Sequence, residues 1–315
     1  MQAYDNEDWT EHYLIQNDPK YPTYYFIRSQ NYTSGLMWYY VIYAGHIRYA
    51  LGKNMIPVVD MKNYPSAYQE PEDLGKVNVW ENYFEQPMGI SIDEVIETAE
   101  AGKCSIMLSK SDPVAYHGQS RALLYEQSPD IHNWRALRYF GLLKVKNDVL
   151  THIEEVRRSI IKDGDMVLGV MLRGTDYIKR RAFEHPIQPP IEYAINTVME
   201  KAREWGCNKI FLATEDKEYV SVFKQVFGEN VVTVPKAYAD YRLEDGKSYS
   251  SYINDRENDC YLKGLEYLTE MIILSQCPYL ISGRASGASA VNIMTNGFKN
   301  KYYFFLGRYG VVWDA

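Results

Sequence analysis

The sequence contains few cysteines, and none of them has the spacing of a metal site. The four cysteines, Cys104, Cys207, Cys260 and Cys277, lie far apart, and no CxxC pair or Cys/His ligand pattern occurs. Structural zinc sites and disulfide scaffolds are typically built from cysteines at short, regular spacings. We therefore expect neither a structural metal nor a disulfide framework.

The sequence also lacks a basic excess and a long apolar run. Its 34 lysines and arginines are outnumbered by 41 aspartates and glutamates, and the net charge of −7 disfavours a nucleic-acid partner. No apolar run approaches the roughly 20 residues of a membrane span. Residues 1–13 are polar and acidic, unlike a signal peptide. We expect a cytoplasmic protein without a transmembrane segment, and peripheral membrane association stays open.

Two motifs of nucleotide-binding proteins are missing as well. The turn after the first predicted strand has no GxGxxG, which disfavours a plain Rossmann dehydrogenase. The small polar loop at residues 283–289 lacks the Gly-Lys-Ser/Thr ending of a Walker A motif. A nucleotide site in this chain must therefore be of another type.

The composition that is present, 46% hydrophobic and 24% charged residues, is typical of a globular enzyme. A chain of 315 residues exceeds the usual size of a single core. The turn-rich stretch at residues 162–165 marks a boundary. We predict an N-terminal domain over residues 1–160 and a C-terminal domain over residues 161–315.

The first half begins with a strand, a polar turn, a helix and a second strand. The strands are predicted at residues 24–27 and 56–60, and the helix ends near residue 52. This order is typical of a Rossmann-like α/β domain, in which the turn after the first strand faces the ligand. Asn31 and Gly35, which lie in that turn, are candidate ligand-binding residues. A further strand is predicted at residues 105–109, and helices over residues 131–162.

The second half alternates strands and helices more clearly. Residues 167–172 form an apolar run that predicts a strand buried on both faces. Further strands are predicted at residues 209–214, 231–234 and 279–282, with helices between them. This alternation predicts a parallel sheet covered by helices.

Polar side chains follow three of these strands. They are Arg173 and Asp176 after the first, Glu215 and Asp216 after the second, and Ser282, Arg284, Ser286 and Ser289 after the last. Carboxyl ends of parallel strands share one edge of a sheet, so we expect the three sets to converge. Cations and a helix N-terminus suit a diphosphate, and carboxylates suit ribose hydroxyls or a base edge. Alternatively, Arg173 has a structural role and caps a helix or pairs with Asp176.

These motifs resemble those of the α1,6-fucosyltransferases and their protein O-fucosyltransferase relatives. Arg173-x-Thr175-Asp176 followed by His185 resembles their first motif, with the Arg-to-His spacing of the α1,6 group. Residues 211–216 are similar to the second motif, and residues 282–294 to the serine-rich third. The early turn at residues 31–35 resembles their N-terminal cleft loop.

The resemblance implies a fold, a donor and a reaction. The fold would be GT-B-like, with two Rossmann-like domains facing a cleft: an N-terminal acceptor-side domain and a C-terminal domain that holds the nucleotide sugar. The reaction would be an inverting, metal-independent transfer of fucose from GDP-fucose to an oligosaccharide or polysaccharide, such as a bacterial surface or capsular glycan. Arg173 would contact the β-phosphate and stabilise the leaving GDP, with Arg284 assisting.

The sequence departs from the family pattern at three positions, one of which is Met171, where related members often have histidine. Gly174 stands where the α1,6 enzymes have a second arginine, and Arg181 stands where their proposed base carboxylate falls. The general base is therefore unassigned. Its candidates are Asp176, Glu184, His185 and Glu81, although His185 is also suited to binding the guanine side or fixing the loop. A different nucleotide-sugar donor and a non-catalytic nucleotide-sugar or glycan-binding protein are the alternatives.

Overall fold

The computed structural model of the protein describes residues 13–14, 20–29, 33–109, 131–242, 244 and 246–311. The chain divides into two compact units, Met1–Asn147 and Asp148–Ala315. Each unit has a sheet of its own, built mostly from parallel strands. The predicted α/β class is therefore confirmed, while the roles assigned to residues 1–160 and 161–315 stay predictions.

The first unit is built on a sheet with the strand order β1-β4-β2-β3. β2 pairs in parallel with β3 and β4, whereas β1 is an antiparallel edge strand on β4. The strands are β1 (Tyr13–Leu14), β2 (Thr23–Ile27), β3 (Ile56–Val59) and β4 (Ser105–Leu108). The helices are α1 (Leu36–Gly52), α2 (Ile92–Glu100) and α3 (Ile131–Tyr139), with short 3₁₀ helices at Pro71–Asp73 and Val79–Asn82.

Tyrosines form much of the core of the first unit. Tyr25 on β2 and Tyr39, Tyr40 and Tyr43 on α1 are all almost fully buried. The hydroxyl group of Tyr25 forms a hydrogen bond with His46 of α1, with 3.0 Å between Oη and Nδ1. Burial of a large ring with a satisfied hydroxyl stabilises a core. These four tyrosines therefore serve the packing of the first unit.

The second unit contains a parallel sheet with the strand order β7-β6-β5-β8-β9. The strands are β5 (Val167–Met171), β6 (Lys209–Ala213), β7 (Val231–Val232), β8 (Tyr279–Ser282) and β9 (Asn300–Tyr303). The helices are α4 (Asn147–Ile160), α5 (Thr175–Lys179), α6 (Ile191–Glu204), α7 (Lys217–Phe227), α8 (Asp259–Gln276) and α9 (Ser286–Met294), with 3₁₀ helices at Gly228–Asn230 and Tyr249–Ser251.

β5 lies at the centre of this sheet, and all five of its residues are buried. A Cβ atom at Gly169 would lie 3.0 Å from Leu274 Cδ2 of α8, so glycine allows that helix to pack closely. Leu168, Val170 and residues of α6 and α7 form one hydrophobic cluster on the sheet. Close packing on both faces fixes the direction in which β5 delivers the residues that follow it.

The structure confirms the strands predicted from apolar runs, with ends that differ by one or two residues. Neither α2 nor β9 was predicted from the sequence, and no helix was predicted at residues 175–179, where the structure has α5. Within the described part of the chain, no helix is both long and apolar enough to cross a membrane.

Candidate functional site

The carboxyl ends of β6, β5 and β8 lie side by side in the second unit. Met171 of β5 is in register with Ala213 of β6 and with Ser282 of β8. The residues that directly follow these three strands therefore occupy neighbouring positions on one edge of the sheet. This is the edge at which open α/β sheets bind ligands.

Arg173 is the central cation of this edge. Its Nη2 donates a hydrogen bond to Asp176 Oδ1 at 3.0 Å, and its Nε lies 3.3 Å from Glu215 Oε1 as an ion pair. The guanidinium carbon is 4.6 Å from the centre of the Tyr177 ring. Burial disfavours the charged guanidinium, but Glu215 and Asp176 outweigh that effect and hold the pKa of Arg173 well above its usual value. The pairing with Asp176 that the sequence left open is thus formed.

Glu215 reaches from the end of β6 to the neighbouring turn. Its Oε1 accepts hydrogen bonds from the Gly174 backbone N–H at 2.9 Å and from Thr175 Oγ1 at 2.8 Å. The side chain is only 9% exposed. Burial raises the pKa of Glu215, and the attraction of Arg173 opposes that rise. All of the contacts described for this carboxylate are made to the protein itself.

Asp216 contacts the same turn and also begins a helix. Its Oδ2 accepts from the Thr175 N–H at 3.2 Å, and its Oδ1 caps α7 by accepting from the Glu218 N–H at 2.9 Å. A Cβ atom at Gly174 would lie 2.2 Å from Asp216 Oδ2. No side chain fits at position 174 in this arrangement, which gives a steric reason for glycine there.

Asp176 uses both oxygens of its carboxylate within the protein. Oδ1 accepts from Arg173 Nη2 and lies 3.3 Å from Thr175 Oγ1, whose single proton it shares with the shorter hydrogen bond to Glu215. Oδ2 accepts from the Tyr249 N–H at 3.2 Å. These three donors occupy most of the accepting positions of the carboxylate.

The predicted residues after β8 are divided between the interior and the rim. Ser282 and Ser289 are fully buried, and Ser282 donates from Oγ to the Gly283 carbonyl at 2.6 Å. Ser286 is the half-buried first residue of α9. The guanidinium carbon of Arg284 lies 5.2 Å from the centre of the Phe305 ring. Arg284 is also largely buried, at 8% exposure, so Ser286 is the most accessible residue of this set.

Glu184 and His185 lie on an exposed loop that is held by the end of the chain. The Glu184 N–H donates to Tyr309 O at 2.9 Å, and the Tyr309 N–H donates to His185 O at 3.0 Å. The ring of His185 is 5.4 Å from that of Tyr177, measured between centroids. This ring contact connects His185 to Arg173, since Tyr177 contacts both. Arg181 is exposed in the same loop.

The candidates of the first unit are placed differently. Glu81 Oε1 accepts from Asn78 Nδ2 at 2.9 Å and from Gln86 Nε2 at 2.8 Å, so its carboxylate holds local structure together. Gly35 precedes α1 in an extended conformation, and the adjacent Leu36 N–H donates to Tyr68 Oη at 2.8 Å. Asn31 lies outside the described residues.

A buried ion pair in the second unit was not predicted from the sequence. Lys236 Nζ lies 2.6 Å from Glu270 Oε1, and the two side chains are 8% and 4% exposed. Burial raises the pKa of Glu270, and Lys236 opposes the rise. Glu270 lies among buried apolar residues of α8. A lone carboxylate in such an apolar run indicates a buried partner of opposite charge, and this is the sequence signal that could have revealed the pair. No group of three or more His, Cys, Asp or Glu side chains suited to a metal occurs in the described ranges.

Comparisons with known proteins agree with this architecture. Neither a protein-family model nor a curated protein sequence matches the chain. Among solved structures, NodZ α1,6-fucosyltransferase soaked with GDP-fucose is similar, with 14% identity, a TM-score of 0.52, and coverage of 87% of this chain and 93% of that one. A NodZ crystal grown with GDP gives 15% identity and a TM-score of 0.51, with coverage of 87% and 93%. Fucosyltransferase NodZ from Bradyrhizobium gives 16% identity and a TM-score of 0.50, with coverage of 87% of this chain and 94% of that one. At such identities the likeness shows the fold, and at that level it confirms the resemblance to fucosyltransferases.

Proposed function

We propose that the protein is an inverting, metal-independent glycosyltransferase that transfers fucose from GDP-fucose to a glycan acceptor. The observation that carries the proposal is Arg173, a permanently charged guanidinium held at the ligand-binding edge of a parallel sheet. The fold shared with NodZ, whose crystals were soaked with GDP-fucose, supports the choice of donor.

Arg173 is proposed to stabilise the negative charge of the departing diphosphate. A guanidinium has five N–H donors, and the two carboxylates beside Arg173 contact its Nη2 and Nε atoms. The remaining edge of the guanidinium is suited to phosphate oxygens. Fixed donors at developing charge accelerate such reactions. This is the task that a divalent ion performs in metal-dependent transferases.

The displacement itself forms one bond and breaks another. The acceptor hydroxyl oxygen attacks the anomeric carbon of fucose from the face opposite to GDP, and the bond from that carbon to the β-phosphate oxygen breaks. The hydroxyl proton passes to a base, and GDP leaves with the bonding electrons. Glu184 and His185 are the exposed candidates for this base, because Asp176, Glu215 and Glu81 already accept hydrogen bonds within the protein.

The remaining parts of the proposal rest on the resemblance to fucosyltransferases. We place the donor on residues 161–315 and the acceptor on residues 1–160, in a GT-B-like arrangement. The acceptor is proposed to be an oligosaccharide or polysaccharide of the bacterial surface or capsular type. The enzyme is proposed to act in the cytoplasm, where GDP-fucose would be its donor substrate and no further cofactor would be needed.

Calorimetry with nucleotides and nucleotide sugars tests the donor. GDP and GDP-fucose are expected to bind, GDP-mannose more weakly than GDP-fucose, and UDP-sugars least. A preference for UDP-sugars, or no binding of any nucleotide, would contradict the donor assignment.

A non-catalytic nucleotide-sugar-binding protein is the second candidate, and Gly174 favours it because the second arginine of the α1,6 enzymes is missing. The release of GDP from GDP-fucose, measured with and without a panel of oligosaccharides, separates the two. Acceptor-dependent release supports transfer, whereas tight binding without release under any condition supports the binding protein.

A further inference from the structure

We propose that Glu215 and Asp216 position the Arg173 turn, residues 173–176, and make no contact with the nucleotide. The sequence alone assigns this acidic pair to ribose hydroxyls or a base edge. The inference rests on the proposed function, because the position of Arg173 matters for a diphosphate ligand. It changes the role of the pair from ligand binding to preorganisation.

The contacts of Glu215 all converge on the Arg173 turn. A single oxygen, Oε1, accepts from Gly174 N and Thr175 Oγ1 and forms the ion pair with Arg173 Nε. Three successive residues of the turn are therefore tied to the end of β6. Buried and charge-assisted hydrogen bonds of this kind hold geometry well, since breaking one leaves a buried polar group unsatisfied.

Asp216 holds the next peptide group of the turn. Its Oδ2 accepts from Thr175 N, and its carboxylate fills the space that a side chain at position 174 would need. Its Oδ1 is bound to the first turn of α7, so the carboxylate cannot rotate freely toward a ligand. Asp216 thereby connects the Arg173 turn to a helix.

The conformation of Thr175 explains why two carboxylates are needed. Its φ angle is 28°, in the left-handed region that a β-branched residue rarely adopts. Such a strained backbone persists where its surroundings determine it from several directions. The Thr175 N–H is held by Asp216 and its hydroxyl by Glu215. Without both partners the turn is expected to relax, and Arg173 would lose its fixed orientation.

The test separates the contribution of the diphosphate to binding affinity from that of the nucleoside. The affinity gain from the diphosphate is the Kd of guanosine divided by the Kd of GDP, both measured by calorimetry. Thr175→Val removes the hydroxyl donor without changing shape or charge, and it is expected to reduce this gain about tenfold or more. Thr175→Ser keeps the hydroxyl and is expected to retain most of the gain. Guanosine affinity should change less than about twofold in either variant.

The matched control is Thr197→Val, a buried threonine on α6 whose hydroxyl donates to a carbonyl of its own helix, Tyr193 O. This variant is expected to leave both dissociation constants unchanged. A diphosphate gain that is unaltered in Thr175→Val, or reduced equally in Thr175→Ser, would overturn the positioning role.

Glu215→Gln provides an independent test of the proposal, which can be carried out even if Thr175→Val fails to fold. The amide keeps an oxygen for Gly174 and Thr175, so the protein is expected to fold. Guanosine affinity should stay within about twofold of wild type, and discrimination of GDP from its 2′-deoxy and 3′-deoxy forms should be unchanged. Loss of either would identify Glu215 as a nucleoside ligand and overturn the proposal. Failure of the wild-type protein to bind GDP at all would instead refute the proposed function on which the inference rests.

Discussion

Arg173 combines two roles that the sequence presented as alternatives. It pairs with Asp176 and Glu215, and it remains charged on the edge of the sheet where anions bind. The apolar run before it predicts its place at a strand end. The sequence also predicted that Glu215 would lie at the same edge, but not that it would pair with Arg173, because the contact depends on how the two side chains are oriented after adjacent strands.

Replacing Arg173 by alanine is expected to slow transfer by about 10²-fold or more, because a fixed donor to the developing charge is lost. Single-turnover release of GDP from GDP-fucose with acceptor measures the effect. Arg203→Ala is the matched control. Arg203 is exposed near the end of α6, and the chain then enters β6 at its amino end, which lies at the sheet edge opposite to Arg173. Equal rates for wild type and Arg173→Ala would remove this residue from the mechanism.

Gly174→Ala is expected to destabilise the protein by about 1–3 kcal/mol, the usual cost of overpacking. The new methyl group would meet the Asp216 carboxylate, with Oδ2 at 2.2 Å. Urea unfolding measures the change. Gly52→Ala is the control, since nothing lies within 4 Å of a Cβ atom there. If both substitutions have the same effect, the close approach of Asp216 does not determine the residue at position 174.

The tyrosine-rich segment, residues 236–257, is anchored by ion pairs and hydrogen bonds to residues of α5 and α8. Lys236 at its start is paired with Glu270, and the N–H of Tyr249 in its middle donates to Asp176. Arg256 near its end donates to Asp259 and Glu266. These contacts could not be predicted from the sequence, because the anchors are side chains of α5 and α8 that no local pattern reveals.

Glu270→Leu is expected to destabilise the fold by about 3–5 kcal/mol, because it leaves Lys236 buried without its carboxylate. Lys236→Met combined with Glu270→Leu should cost clearly less than the sum of the single changes. Urea unfolding of the four proteins in this cycle measures the coupling. Additive single effects would mean that the pair is not coupled. Asp240→Ala, which removes an exposed partner of Arg242 in the same segment, should cost at most about 1 kcal/mol.

The contribution of Asp259 to stability is expected to depend on pH. Burial raises its pKa, but hydrogen bonds from Asn254 and Arg256 outweigh burial and leave the pKa below the usual 3.8. A carboxyl group with a lowered pKa stabilises the fold above its unfolded pKa and loses that contribution as pH falls through the folded value. The difference in unfolding free energy between wild type and Asp259→Asn should therefore be constant near neutral pH and shrink below about pH 4. A difference that grows in acid would contradict the assignment.

At the scale of the whole molecule, the alternation of strands and helices was sufficient to predict an α/β protein. It did not reveal β9 or the antiparallel strand β1, because both are short and lack a long apolar run. The serine-rich motif was recognised, yet the burial of Ser282 and Ser289 depends on how α9 packs on the sheet. Packing between elements is a property that a single sequence does not display.

Residues 148–315 are expected to fold alone and to bind GDP with an affinity close to that of the full chain. This unit has its own sheet and hydrophobic cluster, and it contains Arg173 with both of its carboxylate partners. Circular dichroism and calorimetry on the fragment measure the two properties. A folded fragment that binds no GDP, beside a full chain that does, would place essential donor contacts on the first unit.

The loop of Glu184 and His185 is paired with residues 307–309 through backbone hydrogen bonds. The central strand β5 also needs β8, which is made more than a hundred residues later, to complete its pairing. A growing chain on the ribosome therefore cannot complete this edge until residues 279–282 and 307–309 have both emerged. A chain that stops before residue 307 would leave the loop without these backbone hydrogen bonds.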